Sequence, residues 1–200
     1  GPPPRPLSEI LRQPQCWTAI LVAALGYGVM NLLMVATPLA MEVCRHPFSA
    51  TAIVLELHVI GMFAPGLVTG SLIARVGALP VIGAGCVLML ACVAIALTGV
   101  DLMQFLGALF LLGVGWNFMY TGGTTLLTQS YTPAEKSRTQ GLNDFIVFST
   151  MALSSFSSGA LVSSAGWEIM NWAALPLLAL VAGVVLWYMR HRRRHALQVA

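Results

Sequence analysis

Six long apolar runs, almost free of charge, constrain this chain more than any other feature. They cover roughly residues 16–41, 51–73, 79–98, 103–129, 141–163 and 170–190. A bilayer core about 30 Å thick needs about 20 apolar residues at a rise of about 1.5 Å each, and every run reaches that length. Of the 200 residues, 58% are hydrophobic and only 8% charged. Soluble domains carry about 25% charged residues, so a water-soluble fold could not hide this much apolar surface. Backbone inside lipid must bond to itself, which predicts helices. A closed barrel would show alternating segments of about ten residues, whereas Val81–Leu97 is continuously apolar. Pro47, the Gly77–Pro80 stretch, Gly99–Asp101, Pro133 and Gly166 punctuate the runs. The expected fold class is an all-α membrane protein of six transmembrane helices. A linker end occupies 1–15, the bundle 16–190, and a basic tail 191–200.

Charge gives the expected orientation. With the N-terminus placed in the cytoplasm, Arg5, Arg12, Arg75, Lys136, Arg138, Arg190, Arg192, Arg193 and Arg194 fall inside and only Arg45 outside. Nine against one follows the positive-inside rule for short loops. Both termini are then cytoplasmic, in an integral protein of the plasma membrane, of the bacterial inner-membrane type. Trp17, Tyr131, Trp167, Trp172, Trp187 and Tyr188 sit near the run ends, as an aromatic belt does. The tail Arg190–Arg194 suits anionic lipid better than nucleic acid. Cys16, Cys44, Cys86 and Cys92 show no metal-ligand spacing. The start, Gly1-Pro-Pro-Pro-Arg-Pro6, lacks an initiator Met and the layout of a signal peptide, and is expected to be a linker within a longer chain.

The sequence also repeats itself. Gly26-Tyr-Gly28-Val-Met-Asn31 in the first run matches Gly113-Val-Gly115-Trp-Asn117 in the fourth, with offsets of 87 at Gly26–Gly113 and 86 at Asn31–Asn117. Gly70-Ser-Leu-Ile-Ala-Arg-Val-Gly77 matches Gly159-Ala-Leu-Val-Ser-Ser-Ala-Gly166 at an offset of 89. One period of nearly 90 residues points to two three-helix units. Three is odd, so the second unit enters from the opposite side, an inverted repeat of the kind secondary transporters use. Arg75, on the inner side, corresponds to neutral Ser164 on the outer side.

These residues resemble the C-terminal six-helix half of the major facilitator superfamily, over essentially the whole chain. Leu7-Ser-Glu-Ile-Leu-Arg-Gln-Pro14 looks like the end of that family's central linker. Gly70-x-x-x-Ala74-Arg75-x-Gly77 resembles its cytoplasmic-loop signature, with Ala74 at the acidic position and Ala78 and Leu79 where basic residues usually follow. Pro133-x-Glu135-x-x-Arg138-x-x-Gly141 resembles the loop between the tenth and eleventh helices. The resemblance implies half of a twelve-helix transporter whose halves rock around a central cavity. The partners so implied are a small-molecule solute, the lipid bilayer and the missing N-terminal six-helix half.

Polar groups deep in a bilayer are costly and are therefore the functional candidates. Asn31 and Asn117 lie near the middle of the first and fourth runs, as substrate ligands or as interhelical glue. Tyr27 and Trp116 beside them, with Phe118 and Tyr120, are candidates to stack on a planar solute, or else to pack the helices. Glu56 and His58 stand about 200° apart around one helix. His58 shares a face with Gly61, Met62, Pro65 and Thr69; Glu56 shares one with Ile60, Phe63 and Leu67. His58 titrates near physiological pH, which makes it a candidate for proton coupling or for a structural hydrogen bond. Glu56 either joins it or reaches the outer interface. Asp144 opens the fifth run, as a coupling group or as a helix-start carboxylate favoured by the dipole, and Arg75 is a gating candidate.

No catalytic residue or cofactor is expected. The chain has no Gly-x-Ser-Gly nucleophile, no His-Glu-x-x-His and no Gly-rich phosphate loop. The expected function is alternating-access transport of a small organic solute, with a non-transporting membrane sensor or scaffold, or a truncated nonfunctional half, as the alternative. The sequence fixes neither the substrate and its direction nor the coupling ion.

Overall fold

A computed structural model describes all residues 1–200. After a short helix α1 (Leu7–Arg12) come α2 (Pro14–Val43), α3 (Phe48–Phe63), α4 (Gly66–Val76), α5 (Ala78–Thr98), α6 (Leu102–Thr128), α7 (Lys136–Ser164) and α8 (Gly166–Val199). Helices α3 and α4 are one crossing interrupted at Ala64–Pro65, so six helical segments are long and apolar enough to span a membrane. The order and number of spans agree with the apolar runs. Three boundaries differ, each for a physical reason.

The second run is not one unbroken helix. Pro65 has no N–H to give the preceding turn and its ring crowds the carbonyl four residues back; the chain resumes as α4 at Gly66. The fifth helix begins at Lys136, ahead of the apolar run. Polar residues continue a helix beyond the lipid, so hydropathy marks the bilayer boundary rather than the helix end. Asp144 is therefore two turns inside α7, and the helix-start role expected for it is not what the structure has. Likewise α8 continues through the basic tail to Val199.

The packing follows the repeat. α2 lies against α7, and its counterpart α6 lies against α3; α5 packs on α6 as α8 packs on α2. The repeated motif ends in both copies at a glycine with positive φ, Gly77 at 91° and Gly166 at 86°. Residues with a Cβ rarely adopt that conformation, and it turns the chain from the second helix of each unit into the third. Helix α6 is the hub. A Cβ at Gly113 would strike the backbone of His58 and Met62 on α3. A Cβ at Gly115 would come 2.9 Å from the Gly85 carbonyl of α5, and one at Gly122 would come 2.6 Å from Ile82. Small residues let these backbones approach, which membrane helices need because lipid supplies no hydrophobic drive between them.

Candidate functional site

The two midspan asparagines reach across the bundle in the same way. Asn117 on α6 donates from Nδ2 to the Met62 carbonyl at 2.8 Å, and its Oδ1 accepts from Thr69 Oγ1 at 2.6 Å. Met62 lies in the last turn of α3, where carbonyls have no continuing helix to bond. Asn117 thus bridges both sides of the Pro65 break. Asn31 on α2 donates from Nδ2 to the Met151 carbonyl at 3.2 Å, Ser154 Oγ at 2.9 Å and Ser155 Oγ at 2.6 Å, all on α7. Met62 and Met151 are 89 residues apart, the offset of the glycine motif. The latch is one feature of the repeat written twice. Both ends of the Asn117 amide are occupied by protein, whereas the Oδ1 of Asn31 makes no hydrogen bond within the chain.

Beside these latches the structure gathers four aromatic rings. Trp116 and Tyr120, four residues apart on α6, stack at 5.3 Å with planes 12° apart. Tyr27 from α2 meets them edge-on at 5.4 and 5.5 Å. Phe63 arrives at 5.8 Å from Trp116 because α3 ends there, just before the break. Edge-to-face and offset geometries suit the ring quadrupoles. Tyr27, Trp116 and Tyr120 were candidates on sequence grounds; Phe118, named with them, makes none of these ring contacts. Phe63 as a partner depends on the break at Pro65.

Two polar groups, one in this cluster and one on α7, lack a partner. Trp116 is buried, yet its indole N–H finds no acceptor, and Asn143 on α7 is buried with its Oδ1 unpaired. Its Nδ2 faces the Asp144 carboxylate at 3.5 Å, a contact too long to hold either group firmly. Buried donors and acceptors are almost always paired in native structures; Thr18, His58, Thr139 and Asn171 each carry an unpaired buried atom as well. Asn143 is one helical turn from Ile146 and Val147, which pack with Tyr27 and Tyr120. Asp144, exposed on α7, lies within electrostatic reach of Tyr120.

The other candidates sit elsewhere. His58 is fully buried between α3 and α6, with Nδ1 2.7 Å from the Leu109 carbonyl and Nε2 unpaired. The face it was expected to share is the packed one: Gly61, Met62 and Thr69 are buried with it. Glu56 shares the open face with Ile60, Phe63 and Leu67, all exposed. Arg75 is exposed in the last turn of α4, where a cation complements the helix dipole. Ala74 beside it offers no carboxylate.

Sequence reasoning did not single out an ionic clasp at one end of the bundle. Arg5, ahead of the first span, gives its backbone N–H and Nε to Glu135 Oε2 at 2.8 and 2.9 Å, and a terminal nitrogen to Oε1 at 2.8 Å. Arg5 and Gln13 both donate to the Ser130 carbonyl, at 3.1 and 2.8 Å. Glu135 lies in the 3-10 turn Pro133–Glu135, outside the apolar run, and the hydrogen-bonded Arg5 side chain, with the Thr132 backbone N–H second, holds its carboxyl below the usual carboxylate range.

Comparison with known proteins agrees with this architecture. Residues 19–199 match the family model described as Major Facilitator Superfamily. Riboflavin transporter RfnT of Brucella anthropi is 44% identical over 177 residues, covering 88% of this chain and 44% of that protein. Two uncharacterized MFS-type transporters of Bacillus subtilis, YddS and YdeG, are 32% and 34% identical, covering 88% and 83% of this chain and 41% and 39% of their own lengths. The chain thus spans less than half the length of the curated relatives it matches. With six apolar helices in two inverted units and a family match across almost all of them, this chain is an integral membrane protein that belongs to the major facilitator superfamily.

Proposed function

We propose that this chain is the C-terminal six-helix half of a secondary transporter that moves a planar, polar organic solute by alternating access. The observation that carries the proposal is the cluster of Tyr27, Phe63, Trp116 and Tyr120 around a buried Trp116 N–H with no partner. Stacked rings bind a flat heteroaromatic, and an unpaired indole donor selects one with an acceptor at its edge. The Asn143 Oδ1 and the free Oδ1 of Asn31 supply acceptors for the solute's N–H or hydroxyl groups. A flavin has this combination of flat ring, edge carbonyls and polyol, and riboflavin names the solute of one relative.

Asn117 serves the site from behind by holding the break that presents Phe63. Asp144 lies within electrostatic reach of Tyr120 and is the group we assign to proton coupling or gating. His58 and Glu56 act at the α3–α6 seam and on the open face of α3, and Arg75 acts at the loop. The exposed apolar face of α7, with Phe145, Phe148, Leu153 and Phe156, meets lipid and the N-terminal six-helix half. Both termini face the cytoplasm in this reading, which the nine-to-one distribution of basic residues supports.

Uptake of riboflavin by vesicles carrying the transporter that contains this chain tests the substrate. Saturable uptake is expected. Trp116→Phe, which keeps a ring and removes the donor, should weaken binding about fivefold, the worth of one hydrogen bond near 1 kcal/mol. Uptake of a flavin that ignores Trp116→Phe and Tyr27→Leu alike would place the site elsewhere. Reporter fusions after Ala200 and within residues 42–50 test the orientation, and an external C-terminus overturns it.

A further inference from the structure

Past its apolar stretch α8 carries Arg190, Arg192, Arg193 and Arg194 on continuous helix. None of them has a carboxylate partner, because the one ion pair in the molecule is Arg5–Glu135. Helical spacing places Gly183, Leu186, Trp187, Arg190, His191 and Arg194 on one face, and these six line an open cavity of about 410 Å³. The two ends of this cavity differ in chemistry. At the floor Leu186 is 57% exposed, and a Cβ placed on Gly183 would have no atom within 4 Å. At the rim Arg190 and Arg194 stand one turn apart with nothing acidic on their face. Between them Trp187 is braced, stacked on Trp17 of α2 at 5.3 Å and on His191 at 5.2 Å. A tryptophan held between apolar floor and basic rim marks the level of the membrane interface.

We propose that this face binds one anionic phospholipid. Arg190 and Arg194 hold the headgroup phosphate, whose oxygens fit the planar guanidinium fork. An acyl chain runs down Leu186 across the open space at Gly183, with Trp187 against the glycerol region. A free phosphate would use the rim alone; the apolar floor below it is what commits the site to a lipid. Basic residues at the end of a membrane helix favour acidic headgroups by about fivefold each.

The test uses the purified chain in phosphatidylcholine vesicles with graded amounts of brominated phosphatidylglycerol or brominated phosphatidylcholine. The Trp187 signal is read as the difference from Trp187→Phe. Brominated phosphatidylglycerol should quench it at mole fractions roughly 10- to 30-fold lower than brominated phosphatidylcholine. The double variant Arg190→Gln/Arg194→Gln should lose that preference, and Arg190→Lys/Arg194→Lys should regain part of it. Arg192→Gln/Arg193→Gln, off this face, should keep most of it. Circular dichroism of each variant confirms that the helices persist, and the lysine rescue separates loss of the site from loss of the fold. Excess inorganic phosphate should leave the quenching unchanged. Preference surviving in Arg190→Gln/Arg194→Gln, equal loss in Arg192→Gln/Arg193→Gln, or suppression by phosphate would each overturn the proposal.

Discussion

Asn117 and Asn31 make the same connection in opposite units of the bundle, and their surroundings differ. Asn117 sits in a sealed seam. Its amide is bonded at both ends, the helix it grips is broken by Pro65, and Gly61 and Gly113 bring α3 and α6 into backbone contact beside it. Asn31 grips an unbroken helix through serines, and Ser154 also lines a cavity of about 280 Å³ between α2, α7 and α8. An inverted repeat therefore need not divide its work evenly. The first latch spends its hydrogen bonds on holding an interrupted helix, while the second keeps an acceptor unused and has slack around it. In a transporter a fixed seam and a looser one are complementary, because one supports the binding surface and the other lets it change shape.

Adding one methyl to each repeat glycine should expose this asymmetry most strongly. Gly113→Ala puts a Cβ against the backbone of α3, with the Met62 nitrogen 2.9 Å away. Backbone cannot step aside as a side chain can, so α3 and α6 must separate. Gly26, its counterpart, meets only the side chain of Met119, at 3.2 Å and beyond, and methionine adapts. The expected loss is about 3 kcal/mol for Gly113→Ala and less than about 1 kcal/mol for Gly26→Ala. Thermal melting of the purified protein in detergent reads both. Equal losses would mean that the two seams are equally tight.

The latches themselves come next. Asn117→Ala strands the Met62 carbonyl and removes the acceptor of Thr69, whose hydroxyl still has the Pro65 carbonyl at 2.7 Å. Asn31→Ala strands less, because Ser154 already donates to the Met151 carbonyl at 3.0 Å. We expect about 1–2 kcal/mol for Asn117→Ala and about half that for Asn31→Ala. Asn31→Ala should weaken solute binding more than its small stability cost implies, whereas Asn117→Ala should act on stability first. Denaturation and ligand titration on the same preparations separate the two effects. If Asn117→Ala weakened binding with no change in stability, its amide would be a ligand rather than a brace.

The six spans, their inverted pairing and the matching asparagines are all written in one dimension, since hydropathy length and a fixed offset need no tertiary information. The faces of the second span were legible too: His58, Gly61, Met62 and Thr69 are buried, and Glu56, Ile60, Phe63 and Leu67 are exposed. The main-chain latch partners were not legible, because every residue has a carbonyl, whereas Thr69, Ser154 and Ser155 are reached through their hydroxyls. The Met62–Met151 match at offset 89 could have hinted at them. The break at Pro65 was visible only as a proline, which membrane helices often carry without interruption; Pro38 and Pro176 sit inside α2 and α8. Phe63 joined Tyr27, Trp116 and Tyr120 only once crossing geometry brought three helices to one point.

The clasp of Arg5 on Glu135 should give the smallest effect, because it lies outside both seams. Glu135→Gln keeps the shape and removes the charge that draws Arg5 Nε and a terminal nitrogen. Residues 5–13 should then loosen, and trypsin should cut after Arg12 faster, while the melting transition of the bundle stays in place. The pH dependence has a definite sign. Hydrogen bonds from Arg5 hold the Glu135 carboxyl below its ordinary range in the folded chain. A depressed carboxylate contributes stability that is present above the unfolded value, about 4.3, and is lost as pH falls through the folded one. Cleavage within residues 5–13 should therefore stay flat from pH 8 down to about 5. Below the ordinary carboxylate range it should rise in a substrate-independent way, read by a protease active in acid. Neither latch contains a carboxylate, so the same acid step should leave the two seams unchanged. A clasp that opened near neutral pH would require a different charge to hold residues 5–13, and Glu135→Gln would then fail to reproduce the opening.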